Sequence, residues 1–127
     1  MAKYVHSDVL DGGLNAIKNN ATRMLLLNAY AVTDSYATVT ANAICTVTMT
    51  SGDYELSGAD GAARVVTVSA RSGTASADSG AAPDLHIAFT DNVSRVLLVT
   101  DETTNQVVTS GNTVNFPNLT YTSSQPA

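Results

Sequence analysis

The feature that most constrains this chain is a change of hydrophobic period at Arg23. Before it, Leu10, Leu14, Ile17 and Ala21 recur at the spacing of an amphipathic helix. After it, apolar residues recur at about every second position, the pattern of strands with one buried face. Cys45, Val47 and Met49 share one face while Ile44, Thr46 and Thr48 share the other. Tyr54 and Leu56 alternate with Glu55 and Ser57, and Val66, Val68 and Ala70 come next. Residues 24–29 form a continuous apolar run suited to a buried strand. Residues 85–89 and 95–100, separated by Asp91-Asn92, read as a hairpin, and Val107-Val108 and residues 114–116 and 119–121 complete the set. Pro117 cannot donate a ladder hydrogen bond and belongs at an edge or bend. About eight short strands at roughly 8–12-residue spacing predict a mainly β fold: an antiparallel jelly-roll-like β-sandwich with one N-terminal helix.

The helix is expected to start near Asp8 as N-cap, with Asp11 in a capping-box-like position, and to end around Asn19-Asn20. Gly12 and Gly13 sit inside it, and each costs about 1 kcal/mol relative to alanine. Such a helix needs docking against a sheet or a neighbouring subunit, and the two glycines let another backbone come close. Residues 30–40 stay ambiguous, with Asp34-Ser35 offering a turn or a short helical cap. Residues 71–83, almost entirely Ser, Gly, Ala, Thr and Asp up to Pro83, carry no apolar period and predict a mobile loop. The organisation expected is an N-terminal arm (1–7), one domain (8–121) and a C-terminal tail (122–127).

Composition narrows the function. Charged residues make up 13% of the 127, roughly half the usual share, so hydroxyl and amide groups must supply the polar surface. The net charge is −5, with six basic residues scattered singly and no tryptophan. No stripe of cations could track a phosphate backbone, and nucleic acid is not an expected partner. Cys45 is the lone cysteine, which rules out an internal disulfide and reads as core. The N-terminus lacks a secretory apolar run, and the longest strongly apolar stretch, residues 24–27, falls far short of the roughly 20 residues a membrane span needs. A soluble protein made in the cytoplasm, with no membrane partner, is expected. Sequons beginning at Asn20, Asn92 and Asn118 read as turn chemistry.

Catalytic patterns are scarce. The two histidines are His6, in the arm, and His86, which alternates with Leu85 and Ile87 and so faces away from them. Neither accompanies a Gly-x-Ser-x-Gly nucleophile. Two histidines and one cysteine are too few for a structural zinc site of four such ligands. Asp91, Asp101 and Glu102 could offer carboxylates to calcium but form no alternating acidic loop, and read as turn residues. Gly12-Gly13 and residues 58–61 lack the lysine and spacing of a phosphate loop. The expectation is a binding protein without catalytic site, metal or cofactor.

At Asp8-Val9-Leu10-Asp11-Gly12-Gly13-Leu14 with Thr22-Arg23-Met24-Leu25-Leu26 downstream, the sequence resembles the head decoration, or capsid cement, proteins of tailed phages. The resemblance continues at Leu98-Val99-Thr100-Asp101-Glu102-Thr103-Thr104 and at Val108-Thr109-Ser110-Gly111-Asn112-Thr113-Val114-Asn115-Phe116-Pro117, and spans nearly the whole chain. These stretches are structural signatures without a functional motif. The resemblance implies a protein made in the host bacterial cytoplasm that sits on the outer capsid surface of the virion. There it would act as a homo-dimer or homo-trimer, bridging adjacent subunits of an HK97-like major capsid protein. Termini that order only on contact suit such bridging. The interface candidates are therefore Lys3, Tyr4, Val5 and His6 in the arm, Gly12 and Gly13 on the helix, Pro83 at the loop end, and Tyr121, Gln125 and Pro126 at the C-terminus. Competing readings are another virion module (tail, fibre or head completion) and a carbohydrate-binding or small hydrolytic β domain.

Overall fold

The computed structural model describes residues 2–125. It is mainly β. The N-terminal helix α1 spans Ser7–Asn20, and the strands are β1 (Arg23–Leu27), β2 (Ala43–Thr48), β3 (Tyr54–Ser57), β4 (Arg64–Val68), β5 (Arg71–Thr74), β6 (His86–Thr90), β7 (Val96–Asp101), β8 (Thr113–Phe116) and β9 (Leu119–Ser123). A second helix, α2 (Tyr36–Ala41), settles the ambiguous stretch: the Ser35 side chain accepts the Thr38 N–H and so caps its N-terminus. All pairing is antiparallel, in a four-stranded sheet of order β2-β1-β6-β7, a three-stranded sheet β3-β4-β9 and a two-stranded sheet β5-β8.

The four-stranded sheet is covered on both faces, which explains the unbroken apolar run of β1. Met24 and Leu26 point into the main core with Ile87 and Phe89 of β6, Val66 and Val68 of β4, Val114 and Phe116 of β8, and Leu14 and Ile17 of α1. Leu25 and Leu27 point the other way, with Ala88, into a smaller cluster closed by Val39 of α2. Tyr54 is buried in the main core; its hydroxyl donates to the Ala21 carbonyl at 2.8 Å and its ring meets Phe89 edge-on. Burial pushes that hydroxyl's pKa up. Together with the Lys18 amine, which donates to the carbonyls of Ser51 and Tyr54, it fastens the end of α1 to β3. This docking supplies what the glycine-weakened helix lacks on its own.

Several details differ from the expectations raised by the sequence, and Val107-Val108, expected among the strands, lies outside any strand. The helix N-cap is His6, whose Nδ1 accepts the Asp8 N–H at 3.0 Å. Asp11 makes no capping box; its carboxylate accepts from the Arg64 guanidinium at 2.8 and 3.2 Å, because one turn into the helix it faces β4. Ile44 does not share the exposed face of Thr46 and Thr48. The β1–β2 register slips between Leu26 and Leu27, and the extra residue turns Ile44 into the same core as Cys45. Finally, residues 71–83 are no mobile loop at their start. Residues 71–74 are β5, Ala75 is buried, and backbone bonds from Ser76 to Ile44 and from Ser79 to Val108 pin residues 76–79. The small residues serve close packing: a Cβ on Gly73 would lie 2.9 Å from both Cys45 Sγ and Val47 Cγ2.

The ends are also used. Thr122 and Ser123, expected in the tail, continue β9 opposite Val65 and Arg64. Pro117 lies in the bend between β8 and β9, as its missing N–H requires.

Candidate interaction surface

β7 and β9 are the end strands of two different sheets. Among the described residues, β7 pairs only with β6 and β9 only with β4, so each presents one unpaired backbone edge. Between them runs an apolar cleft of about 180 Å³, floored by Phe89 and Val68 and walled by Leu98 and Val99 on one side and Leu119 and Tyr121 on the other. A second hollow of about 240 Å³ adjoins it at Leu98 and Tyr121 and is roofed by Gly13, Ala16 and Ile17 of α1. Residues 96–100 are all half-buried, leaving an apolar strand with one side open. Unprotected strand edges are a natural template for pairing with another chain, and lysines, prolines or bulges commonly block them. Here Val96-Leu97-Leu98-Val99-Thr100 carries neither charge nor proline, and its one irregularity is a bulge at Leu97, near the start of the strand.

Two interface candidates meet at this cleft. Tyr121 is 45% exposed and lines both hollows. Gly13 lines the second, and a Cβ built on it or on Gly12 would meet nothing within 4 Å. Among the described residues nothing packs over either position, and both glycines are exposed.

The arm candidates lie elsewhere and engage their own chain. The Tyr4 hydroxyl donates to both carboxylate oxygens of Asp60 at 2.8 and 2.9 Å, and the Ser7 N–H donates to the same group at 3.2 Å. These bonds hold the Asp60 carboxyl below its ordinary range and raise the Tyr4 hydroxyl. Val5 and Gln125 exchange two hydrogen bonds of 2.8 Å, so arm and tail clasp each other across the end of the fold. The Tyr4 ring nevertheless stays 58% exposed, set at right angles to His6. Lys3 is exposed, and Pro83 is half-buried ahead of β6. Pro126 lies outside the described residues.

The carboxylates considered for calcium are dispersed. Asp91 accepts the N–H groups of Val93, Ser94 and Arg95 and the Arg95 side chain, building the β6–β7 turn, and its carboxyl is held well below the usual range. Glu102, 2% exposed, ties down residues 104–106: burial pushes its carboxyl up, but bonds from the Thr104 hydroxyl and amide and the Gln106 amide outweigh this and hold it low. Asp101 stands at the far end of β7, opposite His86. Cys45 is buried, and burial raises its thiol pKa, which leaves it poor in the reactive thiolate. A wide, open hollow of about 550 Å³ lies along the seam between α1 and β3–β4. Of the charged groups that line it, Arg64 donates to Asp11 and to the Gly58 carbonyl, and Lys18 donates to backbone carbonyls.

Sequence reasoning read Leu97, Leu98 and Leu119 as core; they do pack against it, but they are only half-buried, and what it missed is that they also line the open hollows. The signal available was the absence of any charge along residues 96–100.

These features define a mainly β protein with one long helix and an open apolar seam between two sheets. No protein-family model, curated protein or solved structure matches the chain. Among the described residues, no helix is long and apolar enough to cross a membrane.

Proposed function

We propose that this chain is a structural virion protein that binds the outside of a tailed-phage head and stabilises it by bridging adjacent major capsid protein subunits. Its sheets would form a jelly-roll-like sandwich, and it would act as a homo-oligomer. The observation that carries the binding role is the apolar cleft between the unpaired edges of β7 and β9, with Tyr121 at its rim. An extended segment laid there gains main-chain hydrogen bonds from an edge and side-chain burial from the cleft, the economy of strand addition. The sequence resemblance directs this capacity to a phage capsid, and a surface poor in charge can cover a protein lattice without stranding unpaired ions.

Stabilisation is then a matter of mass action. A ligand that binds only the assembled shell, present at a hundredfold excess over its dissociation constant, adds about 2.7 kcal/mol per site. Summed over a lattice, this opposes internal DNA pressure.

The test is co-sedimentation of the purified chain with expanded heads of the phage that encodes it. Saturable binding, lost on Tyr121→Glu, is expected. A chain that fails to bind over a wide concentration range, or immunogold label confined to the tail or portal vertex, overturns the proposal; the latter outcome selects a tail or head-completion module.

A further inference from the structure

We propose that Asp84, His86 and Asp101 form a binding site for a divalent first-row transition ion of the zinc type. His86 and Asp101 face each other across the β6–β7 ladder, and Asp84 precedes His86 by two residues. One ligand atom from each of the three lies within 4.8 Å of the other two, and His86 Nε2 stands 4.0 Å from Asp101 Oδ1. Metal bonds of about 2.0–2.2 Å to nitrogen and oxygen need neighbouring donors somewhat closer than this. Side-chain rotation supplies that closure, since Asp84 and Asp101 are exposed.

The backbone beneath is fixed. The Leu85 N–H donates to Asn105 Oδ1 at 2.9 Å, and the Glu102 N–H donates to the Leu85 carbonyl at 2.9 Å. The imidazole is held by packing: its ring lies 5.6 Å from that of Tyr30, and its Nδ1 is buried without a hydrogen-bond partner. The ring's other nitrogen, Nε2, faces the Asp101 carboxylate. An imidazole with two carboxylates selects transition dications; calcium and magnesium prefer all-oxygen sets. Three protein donors leave the remaining positions to water. An ion here clasps the segment ahead of β6 to the end of β7, and the proposal is independent of any role in a virion.

Calorimetric titration of the chelator-treated full chain with zinc chloride tests it. A single ion per chain is expected, with much weaker responses to magnesium and calcium chloride. Asp84→Asn and Asp101→Asn alter exposed side chains and should leave the apo circular dichroism unchanged, yet each should weaken zinc binding on the order of tenfold or more. His86→Gln should do the same, while His6→Gln, which alters the other histidine, should leave binding intact. No zinc binding, binding indifferent to the three substitutions, loss on His6→Gln alone, or calcium bound as tightly as zinc would each overturn the site.

Discussion

Glu102 shows how much one side chain carries. It is one of two buried polar residues among those described, and its carboxylate satisfies the Thr104 hydroxyl and the amides of Thr104 and Gln106. Replacing it with alanine takes a charged acceptor from three donors that fix this turn, and Glu102→Ala is expected to cost about 2 kcal/mol in urea unfolding. Acid should act in the same direction. A carboxyl whose folded pKa is depressed contributes stability that is complete above its unfolded pKa and is lost as pH falls through the folded value. Glu102 and Asp53 are both lowered in this way, so the urea midpoint should fall as pH drops below the ordinary carboxylate range. Asp60 obeys the same sign at the arm. The Ser7 amide should lose hydrogen-exchange protection on acidification before the core amides do, and an arm equally protected at low pH would contradict the clasp.

Among the elements, α1 gives the cleanest test. Gly12 and Gly13 lower its helix propensity, and neither is crowded. Gly12→Ala and Gly13→Ala should therefore each stabilise the isolated chain by about 0.5–1 kcal/mol. If Gly13 is kept for a partner's close approach at the cleft, Gly13→Ala should also weaken head binding, whereas Gly12→Ala should not. Gly73→Ala is expected to act oppositely, costing about 1–3 kcal/mol in thermal or urea unfolding because its methyl would overlap Cys45 and Val47. Periodicity makes α1, the buried β1 and the β6–β7 hairpin legible in the sequence, because each obeys one repeat over its length. It fails where a bulge intervenes. The slip between Phe89 and Thr90 breaks the count from the turn, so the pairing of His86 with Asp101 cannot be read outward from Asp91. β5 is hidden for another reason: Arg71-Ser72-Gly73-Thr74 has strand geometry without strand composition, and only its pairing with β8 and its packing on β2 make it one.

At the scale of the whole molecule, three small sheets share one core, and two of them end beside each other with their edges unpaired. The cleft depends on strands distant in sequence, which is why it is not legible from the residues alone, although Tyr121 and Gly13 each stand out there separately. A chain built this way is equipped to clasp a neighbour, and the proposed neighbour is a capsid lattice. The most direct measurement is electron cryomicroscopy of expanded heads of the encoding phage, prepared with and without this chain. The account predicts added density on the outer surface over junctions between capsid subunits, with the β7–β9 seam against the shell or against a second copy. Identical maps, or density confined to the tail or portal, would contradict it.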